Sequence, residues 1–408
     1  MDPEVSVLLH CAAWRGLLQA QVQVELSERY NSQTDAALEC HIEEVWTERV
    51  SKEPWLFNGA KFRLHSFSLA SPKPPSLPSV CSSPTHFHCL DCAGDKHSPQ
   101  QHGSQQREEN LCDDSEILNR RGASQKILQE GCGPGHHQVN GDCSIQLGCH
   151  LTHSVPKDRV LTKASSTSGS SFDGTTANFA SRPHRADCKA VSPVLTLRLG
   201  LTCYKDFLGT NWSHQVGELR RRGEVEFGDP LALLAQPLGV GGVLCTSDGR
   251  MVLIRRSQQV AEAGGLLDIP GGHPEPKAVC EEQICMATLQ QRPQAVVAEL
   301  FRSVCAEISD EVNVPLSSLG IPVLMGIAVN HTSAGRPSAE FYISCSLTSD
   351  KVQELYWQGG PEAHESTEIV FLSNTDMLQL DGGAPLWSEL CPSAKGAVLL
   401  YQLVMADR

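Results

Sequence analysis

The sequence predicts an α/β protein, a sandwich in which helices cover both faces of a central sheet. Two apolar runs at 239–245 and 250–254 flank the turn signal Ser247-Asp248-Gly249, which is typical of a β-hairpin. A long stretch at 296–312 has apolar residues every four positions, as an amphipathic helix does. Pro392 opens a final helix that runs toward Met405. Strands alternating with helices in this way favour an α/β/α sandwich.

The N-terminal region, residues 1–70, is predicted to be a β-rich accessory region. Val5–Leu9 and Lys61–Leu69 suit strands, and Gln19–Glu25 is a further apolar and polar stretch. Glu43–Val50 suits a short helix.

Residues 71–192 differ sharply in composition, being rich in Ser, Pro, Gly, His and Cys. No apolar periodicity persists there, so we expect a disordered insertion. His86, His88, Cys89 and Cys92 raise the alternative of a zinc-binding interaction arm. A zinc module needs two ligand pairs at defined spacing, and only one CxxC occurs. The segment also resembles translated non-coding sequence, as from a retained intron.

The accessory region is expected to resume at 193–235, and residues 236–408 to form the main domain. In that domain Val323–Val329, Glu340–Ser346 and Glu368–Leu372 suit strands, and a helix is expected after Asp350.

Charge and hydropathy restrict the partners. The net charge is −14 and no Lys/Arg-rich run occurs, which argues against binding duplex nucleic acid. The N-terminus lacks the basic start of a signal peptide, and no stretch approaches the roughly 18 apolar residues of a membrane span. We therefore expect a cytoplasmic or nuclear protein that is not secreted, with its 17 cysteines as thiols. The sequence identifies no protein partner.

The stretch from Leu266 to Val314 carries the strongest chemical signal. A short apolar run ends in the glycine turn Pro270-Gly271-Gly272, and the long helix follows. Glu307 and Glu311 lie one helical turn apart with Asp310 beside them, so their charges repel. Such glutamates are often merely solvated. Next to a glycine turn, however, they indicate a site for a hard divalent cation.

This arrangement resembles the Nudix hydrolases. Their box reads G-x5-E-x7-R-E-U-x-E-E-x-G-U, where U is a bulky aliphatic residue, and here it spans about 272–314. PWLF, KFRLHS, LGLTCYKDFLGTNW, RRSQQVAEA, PGGHPEP, SAEFY, GGPEAHEST and CPSAKGA are similar to signatures of the UDP-sugar diphosphatase branch. The resemblance covers residues 1–70 and 193–408.

Four departures separate this chain from the box. About twenty extra residues follow Gly272, and Ala306 occupies the arginine position. Asp310 replaces a glutamate, and Asn313 replaces a glycine at a position where Asn is tolerated. Glu307 and Glu311 remain in register.

The resemblance implies Mg²⁺-dependent hydrolysis of UDP-glucose, and of UDP-galactose, to UMP and the sugar 1-phosphate, with Mn²⁺ as a substitute cation. Glu307 and Glu311 would be metal ligands and catalytic residues, with Asp310 acting through water. Arg256 is a candidate phosphate clamp because a guanidinium offers a bidentate fork. The remaining candidate substrate-binding residues are Phe57 and Tyr204, which would stack on uracil, then Ala261, Asp268, His273 and Glu275 around the cleft, and Ser393 at a helix start.

The sequence leaves two other functions open. The missing arginine favours a catalytically impaired module that only binds UDP-sugars. Alternatively, the enzyme hydrolyses another nucleoside diphosphate derivative, such as ADP-ribose or coenzyme A.

Overall fold

A mixed sheet forms the centre of the protein. A computed structural model describes residues 2–70, 194–260, 262–280 and 283–406, all of which belong to one compact unit. The strand order in the larger sheet is β1-β9-β10-β5-β6-β11, with short strands β7 and β8 paired to β6 and β5. A second sheet has the order β2-β4-β3.

The strands are β1 Val5–His10, β2 Val22–Leu26, β3 Ala60–Leu69, β4 Leu195–Cys203, β5 Gly239–Cys245, β6 Arg250–Arg256, β7 Leu267–Asp268, β8 Gly271–Gly272, β9 Val323–Asn330, β10 Arg336–Ser344 and β11 Ser366–Ser373. The helices are α1 Ala36–Lys52, α2 Tyr204–Gly209, α3 Val216–Phe227, α4 Pro276–Val279, α5 Met286–Gln291, α6 Pro293–Val312, α7 Ser349–Gln358, α8 Asn374–Gln379 and α9 Pro392–Met405.

Helices cover both faces of the larger sheet, so the predicted α/β/α sandwich is confirmed. On one face α6 buries the predicted apolar stripe, whose members are Val296, Leu300, Val304, Ile308 and Val312. On the other face α9 packs its small and apolar residues against β1, β9 and β10. Burying these stripes removes apolar surface from water, which is the main stabilising contribution.

Strand β10 joins β5 in parallel, and its other neighbour β9 is antiparallel. The register pairs Ser338 with Gly239 and Glu340 with Gly241. These two glycines leave room beside the polar side chains of β10, since a Cβ on Gly241 would collide with the Glu340 carboxylate. One end of β5 is thereby opened for a cleft.

The smaller sheet joins the two segments on either side of residues 71–193. Strands β3 and β4 are antiparallel, with Leu69 opposite Leu195, and the Ala70 N–H donates to the Val194 carbonyl at 2.8 Å. Strand β1 does not join the smaller sheet, although residues 1–70 were expected to form one accessory region. It pairs with β9 in the larger sheet, because its buried side chains Val5 and Leu9 complete the core there.

Within the described residues, none of the helices has the length and hydropathy needed to span a bilayer. The predicted disorder of 71–192, and the zinc alternative for that segment, lie outside the described residues.

Candidate active site

A cleft with two connected chambers opens beside the glycine turn. The acidic chamber, about 390 Å³, is lined by residues that include Gly241, Asp268, Gly272, Glu307 and Ser393. The aromatic chamber, about 440 Å³, is lined by residues that include Trp55, Tyr204, Phe207 and Trp212. The residues that line both chambers are Lys61, Arg256, Glu262, His273, Arg336 and Glu365. Three basic side chains therefore lie where the chambers meet.

The glycine turn holds the two helix glutamates through backbone N–H groups. The Gly271 N–H donates to the Glu311 carboxylate at 2.9 Å, and the backbone N–H of His273 lies near Glu307 and favours its charged form. Gly272 allows this approach, since a Cβ there would overlap the Glu307 carboxylate. Helix α6 supplies the glutamates from a buried face, so their positions are fixed by core packing as well as by the turn.

Burial disfavours the charged form of both glutamates. It raises the pKa of Glu307 to about 7, with the nearby Glu362 adding to the rise and the His273 N–H opposing it. Burial also raises the pKa of Glu311 well above its ordinary value, although the Gly271 N–H opposes this, and Glu307 adds to the rise. Lys61 offsets the rise at Glu307 only in part.

These donors fit a hard divalent cation, which prefers carboxylate oxygens. The pKa values of both carboxyls are raised by burial and by neighbouring carboxylates, and a bound cation would offset both effects. Across the described residues, no three His, Cys, Asp or Glu side chains come together as a complete ligand set. A cation would therefore take its remaining ligands from water or substrate.

Asp268 organises the floor of the acidic chamber. Its carboxylate accepts from Arg256 Nη1 at 3.2 Å and from the Ser393 hydroxyl at 2.9 and 3.1 Å. Arg256 Nε also donates to the Glu262 carbonyl at 3.1 Å. The N-cap of α9 is Cys391, and Ser393 is the second residue of the helix. The Ser393 hydroxyl therefore does not cap the helix but donates to Asp268.

Lys61 enters the cleft from β3 of the smaller sheet. Its Nζ lies 3.3 Å from the carboxylate of Glu275, the N-cap residue of α4. The Glu275 N–H donates in turn to the buried carboxylate of Glu299 at 3.2 Å. Burial, with Lys61 and Arg336 nearby, lowers the pKa of the His273 imidazole well below its ordinary value. His273 is therefore neutral at pH 7.

Glu340 is buried directly behind Gly241. Among the described residues neither of its carboxylate oxygens has a hydrogen-bond partner. Burial raises the pKa of Glu340 to about 8. The nearby Ser338 hydroxyl offsets this rise only in part, because it does not lie in hydrogen-bonding geometry. The carboxyl is thus largely protonated at neutral pH.

The structure brings most of the sequence-predicted residues together. The cleft is lined by Arg256, Asp268, His273, Glu275, Glu307, Ser393 and Tyr204. Glu311 lies buried behind Gly271. Phe57 is 77% exposed and does not line either chamber, whereas Trp55 does. Asp310 is also not among the lining residues, and its carbonyl accepts from the Glu362 N–H. Ala261 lies outside the described residues.

Several lining residues were not predicted from the sequence, namely Trp55, Lys61, Phe207, Trp212, Glu262 and Arg336. One signal was available for Arg336, because Arg336, Ser338 and Glu340 alternate along a strand that otherwise reads as apolar. A polar row on one face of a central strand indicates a site at its end.

Fold and cleft together define a Nudix-type α/β/α protein. No protein-family model matches the chain. It is 38% identical over 408 residues to uridine diphosphate glucose pyrophosphatase NUDT22 of Bos taurus. The alignment covers 100% of this chain and 99% of that relative. The human protein of the same name is 38% identical over 410 residues, covering 100% and 95%. Nudix hydrolase 9 of Arabidopsis thaliana is 34% identical over 217 residues, covering 52% and 67%. The chain belongs to the Nudix hydrolase family.

Proposed function

We propose that this protein hydrolyses the diphosphate of UDP-glucose, and of UDP-galactose, to UMP and the hexose 1-phosphate. The observation that carries the proposal is the order of the cleft, with aromatic walls at one end, basic side chains in the middle and carboxylates at the other. This order fits a nucleobase, a diphosphate and a cation in sequence. Two relatives named uridine diphosphate glucose pyrophosphatase support the choice of substrate.

We assign Glu307 and Glu311 as the residues that would hold Mg²⁺, with Mn²⁺ as a substitute. The bound cation would supply charge neutralisation on the diphosphate and would acidify a water molecule. Asp310 would contribute only through water, because it does not line the cleft.

The protein's own residues position the substrate and move a proton. Arg256, held in place by Asp268, would bind a phosphate with the N–H groups that face the cleft, and Lys61 would add charge from the opposite side. Glu307 would accept the proton of the attacking water, because its carboxylate lines the acidic chamber. Tyr204 would stack on the uracil, because its ring lines the aromatic chamber.

Both proposed domains contribute residues to the cleft. Residues 1–70 and 193–235 form the accessory region in this proposal, except that β1 pairs with the larger sheet. The region supplies Lys61, Tyr204 and Phe207 to a cleft whose acidic chamber is otherwise built from 236–408. We place the enzyme in the cytoplasm or nucleus.

Product analysis tests the proposal. Purified protein is incubated with UDP-glucose with and without Mg²⁺, and nucleotide and sugar products are separated. We expect UMP and glucose 1-phosphate in equal amounts, with Mg²⁺ required and with Glu307→Gln inactive. Binding of UDP-glucose without turnover would favour the alternative of an impaired binding module, for which Ala306 in place of the family's arginine is the reason. Faster turnover of ADP-ribose or coenzyme A at equal concentration would reassign the substrate.

A further inference from the structure

Glu262 connects three parts of the cleft wall. Its carboxylate accepts from Arg336 Nη1 at 2.7 Å, from the Ser333 hydroxyl at 2.7 Å and from Asn330 Nδ2 at 3.2 Å. Its carbonyl accepts from Arg256 Nε at 3.1 Å. A loop residue with four such bonds is fixed in position, and it fixes both arginines in turn.

Arg336 keeps donors available after binding Glu262. Through the parts of the chain that the structure describes, its guanidinium has Glu262 as its one hydrogen-bond partner, and that bond uses Nη1. The N–H groups on Nε and Nη2 remain for a ligand. The guanidinium also lies 5.7 Å from the centroid of the Phe207 ring, so the aromatic chamber supports it from one side.

The position of Arg336 matches that of a diphosphate between a base and a cation. Arg336 and Arg256 both line the part of the cleft that the two chambers share. Arg256 uses Nε and Nη1 on Glu262 and Asp268, which leaves Nη2 for a ligand. Two guanidinium groups held by one loop residue can contact two phosphates, or opposite oxygens of one phosphate.

We propose that Arg336 is a second phosphate-binding residue and that Glu262 is the positioning residue that directs Arg336 into the cleft. This inference rests on the proposed function, since it assumes that a nucleoside diphosphate occupies the cleft. Hydrogen bonds also connect Glu262 to the aromatic chamber. Ser333, which donates to Glu262, accepts from the indole N–H of Trp212 at 3.3 Å. The base-binding wall and the phosphate-binding side chains therefore share one hydrogen-bond network.

Binding of UDP and of uridine by calorimetry, with Mg²⁺ present, separates a phosphate contact from a structural role. The two ligands share the base and ribose and differ in the diphosphate. For Arg336→Gln we expect UDP to bind roughly 10- to 100-fold more weakly, as the loss of a charged hydrogen bond implies, with uridine unchanged within about twofold. Equal weakening of both ligands, or no weakening of UDP, would overturn the assignment.

The role of Glu262 is tested by a double-mutant cycle in steady-state kinetics. Glu262→Gln keeps the shape and the carbonyl that holds Arg256 but removes the charge that holds Arg336. We expect KM for UDP-glucose to rise roughly 10-fold with kcat little changed, because a contact made equally in ground and transition states affects KM. The double variant should be no worse than Arg336→Gln alone. Additive losses would show that Glu262 does not act through Arg336.

A matched control separates these effects from the loss of any ion pair. Arg198 pairs with Glu25 at 2.9 Å on β4, away from the cleft, so Arg198→Gln should leave UDP binding unchanged. The wild-type protein separates this proposal from the proposed function. If wild type binds UDP no more tightly than uridine, the proposed function fails. If wild type prefers UDP and Arg336→Gln keeps that preference, only the role of Arg336 fails.

Discussion

The N–H of Gly271 donates a 2.9 Å hydrogen bond to the carboxylate of Glu311, forty residues later in the chain. The backbone N–H of His273 favours the charged form of Glu307, since it lowers the pKa of that carboxyl. The Nudix box has an arginine at the position that Ala306 occupies in this chain. Backbone donors from the glycine turn thus hold the glutamate pair without that arginine, and they do so from a strand that the core fixes.

Gly272→Ala should abolish most activity with little loss of fold. The new Cβ would overlap the Glu307 carboxylate and push it from its place. We expect kcat to fall roughly 100-fold, since small displacements at a reacting centre have effects of that size. Overpacking of this kind lowers the free energy of unfolding by about 1–3 kcal/mol. Steady-state kinetics and thermal unfolding measure the two effects.

Gly217→Ala is the control for that substitution, because its Cβ would meet open space at the start of α3. It should leave both activity and stability close to wild type. Full activity in Gly272→Ala would mean that Glu307 is not held against the turn during catalysis.

Much of this arrangement was predictable from the sequence, because it follows from local patterns. The four-residue apolar spacing gave the position of α6, and Pro392 gave the first residue of α9. Residues brought in by tertiary contacts were harder to predict. Lys61 and Glu275 meet across 214 positions, and Glu262 meets Arg336 across 74. No local pattern reports such pairs. Trp55 and Phe57 alternate in one exposed loop, so the sequence could not decide which ring faces the cleft.

Tyr204→Ala should weaken substrate binding, whereas Phe57→Ala should not. Tyr204 lines the aromatic chamber, while Phe57 lies outside it and is 77% exposed. A base stacked on an aromatic ring contributes about 1–3 kcal/mol, so KM for UDP-glucose should rise about 10-fold for Tyr204→Ala. For Phe57→Ala it should change less than about twofold. The reverse order in initial-rate measurements would assign the stacking role to Phe57 instead of Tyr204.

Glu340→Gln should change how stability depends on pH. The Glu340 pKa is about 8 in the folded protein and 4.5 as the ordinary value. The folded state therefore binds an extra proton between these values. This contribution to stability is fully present below pH 4.5, declines as pH rises, and is lost above about pH 8. The variant lacks this titration, so it should match wild type most closely at low pH.

Above pH 8 the Glu340→Gln variant should be more stable than wild type, by up to a few kcal/mol at about 1.4 kcal/mol per pKa unit. Urea unfolding of both proteins at pH 5 to 9 measures the difference, and taking the difference cancels the other titrating groups. A difference that does not change with pH would show that Glu340 is already paired when charged.

Removal of residues 71–193 is expected to preserve the fold and the activity. The Ala70 N–H donates to the Val194 carbonyl at 2.8 Å, and β3 and β4 continue from there as an antiparallel pair. Chain ends this close can be joined by a two-residue turn, and Asn-Gly suits the twist of such a hairpin. The cleft residues nearest in sequence, Lys61 and Cys203, lie at the far end of these strands.

In the joined variant, kcat and KM for UDP-glucose should stay within about twofold of wild type, and thermal unfolding should remain cooperative. A matched variant with the same deletion but a Gly-Ser linker of about ten residues tests whether the tight turn itself causes strain. Loss of activity in both variants, with the fold retained, would show that residues 71–193 contribute to catalysis. Loss of activity in the tight-turn variant alone would show only that the hairpin needs a longer loop.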